Sequence, residues 1–158
     1  MLIHCHSDVL AIMPSLAESL ADLCKSGSEM QGYFMALSRH AVKEVPPEMH
    51  LAVAYTLIED GGLEPCGWVA THLWDGRLCL QQFVAPEKRG RYLATALTAA
   101  LFLNRGRPES LCVFAPETAR IATRLGVADV RLFKRVEDGW VRSEWSADRH
   151  TAGGDDAR

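Results

Sequence analysis

Apolar positions change period along this chain, and each change marks an element. Leu2 to Cys5 form a short apolar stretch suited to a first strand, after which Val9, Ile12, Leu16, Leu20 and Leu23 recur at helical spacing. Pro14 either interrupts that helix or begins its main part at the first-turn position that proline tolerates. A second helix is predicted where Ser28 and Gln31 have capping-box spacing and Met30, Phe34, Leu37 and Ala41 share a face, as far as Pro46-Pro47. The period then falls to two. Segments 51–58, 67–74 and 77–84 read as strands of an antiparallel meander, turning at Gly61-Gly62 and Asp75-Gly76. Leu93, Leu97 and Leu101 mark a third helix that closes over 104–108, and 111–114 is a short buried strand. A fourth helix runs from Glu117 to Leu125 and ends at Gly126. Alternation over 130–136 and 140–145 around Asp138-Gly139 predicts a terminal hairpin. The expected fold class is α/β in the α+β sense, with a mixed, mostly antiparallel sheet of about seven strands and four helices in the order β-α-α-β-β-β-α-β-α-β-β.

Composition narrows the classes. A chain of 158 residues, 48% apolar and 23% charged, fits one globular domain, assigned to 1–146. Such a domain buries roughly 70% of the surface its unfolded chain exposes. The last stretch, 147–158 with its Gly-Gly-Asp-Asp, has the composition of a disordered tail. Apolar runs stop well short of the ~20 residues a bilayer needs, and the N-terminus lacks a secretory pattern, so no membrane partner and a cytoplasmic location are expected. Five cysteines, at 5, 24, 66, 79 and 112, make an odd number without Cys-x-x-Cys spacing, which suits reduced, mostly buried thiols. A net charge of −3 gives no global basic field, so nucleic acid is not expected as a partner.

The local exception to that acidity is 82–97. An apolar strand end runs into a turn bearing Lys88, Arg89 and Arg91, and then into an amphipathic helix. Helix starts leave backbone N–H groups unpaired and carry partial positive charge, so this strand-turn-helix can hold a phosphate. The element order, together with Val84-x-Pro86-x-x-Arg89 followed by Arg89-Gly90-Arg91-Tyr92-Leu93-Ala94, resembles the Gcn5-related N-acetyltransferase (GNAT) superfamily over about 140 residues, whose signature is Gln/Arg-x-x-Gly-x-Gly/Ala. The resemblance implies acetyl-CoA as co-substrate, with no metal. It implies backbone groups at Phe83 and Val84 along the pantetheine arm, and Lys88, Arg89, Gly90, Arg91, Tyr92, Leu93, Ala94 and Thr95 around the phosphates. It also implies that the fourth and fifth strands splay to admit that arm. Tyr92 stands where the signature has its first glycine; its ring either points away along the helix or packs on the cofactor.

Acetyl transfer needs an unprotonated amine, and many relatives of this kind carry a carboxylate base on the fourth strand. From Arg77 to Pro86 there is none; Gln81 and Gln82 hydrogen-bond but take no proton. The tyrosine that commonly reprotonates the thiolate aligns with Ala122 or, one position on, with Thr123. The catalytic candidates are therefore His72, Gln82 and Thr123, His72 being either a base near the cleft or a satisfied structural histidine. Cys79 and Cys112 either face the cofactor channel or are buried inert thiols. His4 and His6 share a strand face as half of a metal site, but no second pair completes it. Glu29, Glu44, Glu48, Glu59 and Asp60 are either a negative rim favouring an amine or polyamine, or a solvated surface. A P-loop hydrolase is disfavoured, since no Gly-Lys-Ser/Thr follows the turn.

Two functions are consistent with these residues. One is an acetyl-CoA-dependent N-acetyltransferase acting by direct attack of a small-molecule or peptide amine, with a homodimer open to it. The alternative is a catalytically degenerate GNAT-fold binding or structural protein, for example in a phage particle or larger assembly.

Overall fold

A computed structural model describes residues 1–137 and 139–143. The tail expected over 147–158 and the end of the terminal hairpin past Ser143 lie outside the described residues. The elements are β1 (Leu2–His6), α1 (Pro14–Leu23), α2 (Glu29–Ser38), β2 (His50–Leu57), β3 (Leu63–Trp74), β4 (Arg77–Val84), α3 (Leu93–Arg105), β5 (Ser110–Val113), α4 (Pro116–Arg124), β6 (Asp129–Val136) and β7 (Gly139–Ser143). All seven strands join one sheet in sequence order. Pairing is antiparallel except where α3 and α4 carry the chain across the sheet, making β4–β5 and β5–β6 parallel. This is the mixed α/β architecture that the hydrophobic pattern predicts.

Three elements differ from expectation. β3 begins at Leu63, ahead of the expected 67, and runs through Pro65 to Trp74. Pro14 occupies the first turn of α1, and Val9 falls in a separate 3-10 turn capped by Asp8, so the apolar spacing before Pro14 does not belong to the helix. The second helix ends at Ser38, well before Pro46-Pro47, and Ala41 is outside it. His40 takes a left-handed conformation, φ +55, while its N–H donates to the Leu37 carbonyl and that of Ala41 to the Ala36 carbonyl. That pair of bonds is a Schellman stop, built on histidine instead of glycine. The N-terminal cap of α2 is as the sequence indicates, with the Gln31 N–H donating to Ser28 Oγ at 3.3 Å.

Strand alternation sorts the core onto two faces. On one, Val69, Leu80, Leu111 and Val113 meet Leu97 and Leu101 of α3 and Ala119 and Ala122 of α4. On the other, Leu51, Val53, Trp68 and Ala70 meet Leu20 of α1 and Phe34 of α2. Burial of each such large side chain contributes about 1.5–3 kcal/mol. The second face is only half covered, because α1 and α2 lie over β2 and β3. A smaller cluster of Cys79, Cys112 and Phe133, with Trp74 and Phe114 against it, occupies the other half. Among the described residues, no helix is long and apolar enough to cross a membrane.

Candidate functional site

The parallel joint between β4 and β5 is short. Only Cys79 pairs with Cys112 and Leu80 with Val113, although β4 continues to Val84. β5 ends at Val113, so beyond Leu80 a gap opens beside β4, which keeps a partner on the β3 side alone. Neighbouring bonds fix which backbone groups face the gap. The Ala85 N–H donates to the Cys66 carbonyl at 2.9 Å, and a Cβ on Gly67 would meet the Phe83 carbonyl oxygen at 3.0 Å. Ala85 and Phe83 therefore point their backbone polar groups at β3, and by alternation Gln82 and Val84 turn theirs into the gap. The Arg89 Nε–H donates to the Val84 carbonyl at 3.0 Å, from that side. Glycine at 67 suits this close approach, since a side chain there would press on the β4 backbone at Phe83.

Below the gap, on the α3–α4 side, lies a cavity of about 630 Å³. Its walls are the end of β4 (Gln82, Phe83, Val84), the turn (Lys88, Arg89, Gly90), the start of α3 (Tyr92, Leu93, Ala94, Thr95) and one face of α4 (Glu117, Thr118, Arg120, Ile121, Arg124) with Ala115. Nine of the ten residues that the resemblance assigns to the cofactor thus converge; Arg91, exposed in the same turn, is not in the wall. Leu93 is the first residue of α3, and Tyr92, its N-cap, supplies no side-chain bond. The N–H groups of Leu93, Ala94 and Thr95 are those a helix cannot satisfy internally, and all three residues line the cavity. Arg120 and Arg124 were not singled out from sequence. Their i, i+4 spacing on the strongly amphipathic α4 is the signal that could have found them.

The cavity is electropositive. Lys88, Arg89, Arg120 and Arg124 line it against one carboxylate, Glu117. Among the described residues none of the four is within ion-pair distance of a carboxylate, the ion pairs being Arg39–Glu44 and Arg131–Asp129. Lys88 Nζ–H instead reaches Thr56 Oγ1 at 3.4 Å, and the Arg89 guanidinium stands 5.7 Å over the Phe83 ring. Two of the four cations thus have neutral partners, and the cavity wall carries an excess of positive charge.

Tyr92 adopts the left-handed conformation, φ +57, ψ +16, and is 81% exposed. The backbone at the signature's first glycine thus keeps a glycine geometry although the residue is tyrosine, at a cost of about 1–2 kcal/mol. Its ring points outward at the cavity mouth and does not fill the cradle.

The catalytic candidates separate. Gln82 lines the cavity, its Oε1 3.2 Å from the Thr98 hydroxyl, which also donates to the Ala94 carbonyl at 2.8 Å. His72 is not in the cavity wall; it is fully buried on the opposite face. Its Nδ1 is 3.1 Å from the Leu73 carbonyl and its Nε2 3.2 Å from the Gln81 carboxamide, while Cys79 Sγ and the Tyr33 ring pack against it. Burial lowers its pKa, so it is neutral and serves as a satisfied core residue. Thr123 also lies outside the cavity wall, and Ala122 is fully buried in the core.

Cys79 and Cys112 lie on the His72 face, away from the cavity; burial pushes the Cys79 thiol up to about 12, which makes it inert. The five acidic residues do not gather: Glu29 accepts from the Tyr33 hydroxyl at 2.6 Å, Glu44 pairs with Arg39, and Asp60 caps the Gly62 N–H in the β2–β3 turn at the other end of the sheet. His4 and His6 touch edge to face, their ring centroids 4.6 Å apart. Among the described residues no group of three or more His, Cys, Asp or Glu side chains is placed to hold a metal.

No family model and no curated protein matches this chain. Among solved structures, it is similar to a GNAT superfamily phosphinothricin acetyltransferase (Pat) from Sinorhizobium meliloti in complex with AcCoA, at 18% identity over 85% of this chain and 65% of that one, with a TM-score of 0.40. It is also similar to the PaiA N-acetyltransferase from Thermoplasma acidophilum in complex with coenzyme A, at 11% identity over 98% of this chain and 89% of the other, with a TM-score of 0.38.

Proposed function

We propose that the protein is a divergent GNAT-type, acetyl-CoA-dependent N-acetyltransferase. The observation that carries the reading is the coincidence of three features at one place: β4 runs on past the end of β5, free backbone groups of β4 face the gap, and a cation-walled cavity opens there beneath the start of α3. A thioester on a flexible, polyanionic arm fits that combination. Phosphates would lie against the α3 N–H groups with Lys88, Arg89, Arg120 and Arg124, and the arm would run along β4 beside Gln82 and Val84.

In the transfer, the lone pair of a neutral acceptor amine attacks the thioester carbonyl carbon. A C–N bond forms, negative charge builds on the carbonyl oxygen beside the gap-facing N–H groups of β4, the C–S bond breaks, and CoA leaves as thiolate. The ammonium proton passes through water to the thiolate, with Gln82 placed to orient that water. Because no carboxylate stands on β4, positioning carries most of the acceleration, an effect that reaches ~7–11 kcal/mol in favourable cases.

The test is calorimetric titration with acetyl-CoA, with Arg89→Ala and Arg91→Glu as controls. Binding that both variants weaken supports the reading, and no detectable heat up to millimolar acetyl-CoA sinks it. A second reading, a GNAT-type fold that binds CoA without transferring acetyl, is favoured by the core burial of Ala122 and the absence of His72 and Thr123 from the cavity. Acetyl-CoA binding with no loss of thioester absorbance against a broad amine panel would select it.

A further inference from the structure

The gap opens on two faces, and only one of them holds the cofactor cavity. On the other, the β5–β7 half of the sheet is uncovered by α1 and α2 and carries aromatic rings. Phe114 follows the last residue of β5, at the lip of the gap. The Trp140 ring tilts against it at 4.6 Å and the Trp74 ring meets it edge-on at 5.5 Å; Trp74 also meets Phe133 at 5.3 Å. Phe133 is buried, Trp74 and Phe114 are half-buried, and Trp140 is 36% exposed. Together they make a floor with an open rim.

Guanidinium groups border that floor. Arg77 stands 5.7 Å over the Phe133 ring, and Arg142 is the direct cross-strand partner of Phe133, so both project on the ring face. Both are exposed, and among the described residues neither is within ion-pair distance of a carboxylate. Arg131, two residues before Phe133, is on the same face but is already held by Asp129 at 2.8 Å. The nearby carboxylates are engaged, Asp129 by Arg131 and Ser110 and Glu29 by the Tyr33 hydroxyl.

Resting on the acetyltransferase reading, we propose that this aromatic floor with its two arginines is the acceptor subsite, and that it takes an amine bearing both an aromatic side chain and a carboxylate, an aromatic α-amino acid. An acetyl group held in the gap is shielded by α3 and α4 on the cavity side, so an amine reaches it across Phe114. The aromatic side chain rests against Phe114 and Trp140, and the carboxylate pairs with Arg142 and Arg77. With the carboxylate held outward, the amino nitrogen faces the thioester carbon for the attack described above.

The experiment titrates L-phenylalanine, phenethylamine and spermidine into the full chain saturated with CoA, and follows thioester loss with acetyl-CoA for the same three. L-Phenylalanine should bind at least about tenfold more tightly than phenethylamine, the size of one charged contact. Arg142→Gln should weaken L-phenylalanine by about the same factor and leave phenethylamine unmoved, while Trp140→Ala weakens both. Both residues are exposed, and unchanged melting curves confirm that the variants fold. Equal or tighter binding of phenethylamine or spermidine, an Arg142→Gln variant indistinguishable from wild type, or no heat from L-phenylalanine at millimolar concentration overturns the proposal. If CoA itself does not bind, it is the acetyltransferase reading that has failed; CoA binding without the amino acid defeats this inference alone.

Discussion

The two faces of β4 are built from alternate residues of one eight-residue strand, yet they have opposite characters. Gln82 and Val84 look toward α3 and a cavity of unpaired cations, while Cys79 and Gln81 look toward a closed nest around His72 in which each polar group has a protein partner. The first face is under-satisfied: helix-start N–H groups and four cations lack protein anions. The second is over-determined, since the His72 ring alone is in contact with Leu73, Cys79, Gln81 and Tyr33. A polar group left without a partner is an invitation to a ligand, whereas one with several partners is structure. Histidine and cysteine are the more reactive residue types, yet here it is the plainer arginines of α4 that line the cavity.

Reversing the cationic wall should break this contrast most severely. Arg120→Glu with Arg124→Glu replaces two charge-assisted contacts by repulsion, and acetyl-CoA affinity should fall about 100-fold or more, with melting little changed because both side chains are exposed. Calorimetry and a melting curve on the same sample check both halves of that statement.

The closed nest is tested by pH. Burial lowers the pKa of His72, so the unfolded chain takes up a proton near pH 6.5 that the folded one refuses, and stability is lost as pH falls from about 6.5 toward the depressed value. Urea unfolding of His72→Gln should show a shallower acid slope than wild type. His6 and His50 are lowered in the same direction and should leave a residual slope. An unchanged slope would mean that His72 is not the refusing group.

The smallest effect belongs to the signature position. Tyr92→Gly should relieve the left-handed strain and, after the extra entropy of a glycine in the unfolded chain, stabilise the fold by about 0.5–1 kcal/mol. That corresponds to a rise of roughly 1–3 °C in Tm. Acetyl-CoA affinity should be retained, since the ring is exposed; a sharp drop would show instead that the ring packs on the cofactor.

Much of this is legible in the sequence. Period-two stretches, the Asp75-Gly76 turn and the Gly126 stop placed strands and helices closely, because these signals are local. The convergence of 88–95 on the cavity, Arg91 apart, is local in the same way, since a helix start presents its N–H groups wherever the helix lies. What stayed hidden depends on which segments meet. His72 and Gln82 sit on neighbouring strands of the meander, but their parity sends one to the core and the other to the cavity. Arg120 and Arg124 read as an ordinary polar helix face until α4 is laid beside α3. The early stop of α2 was missed because histidine does at position 40 what glycine usually signals.

The joint between β4 and β5, two residue pairs long, also bears on how the molecule comes together and comes apart. Hairpins on either side of it, β2 to β4 and β6 with β7, form between sequence neighbours. The joint must wait until all of α3 has been laid down between its halves. It is thus expected to close late in folding and to be the seam along which the empty protein breathes, and a ligand seated in the fork would act as a brace across it. Amide exchange at Leu80 and Val113 would then report on occupancy from a place that no ligand atom needs to touch.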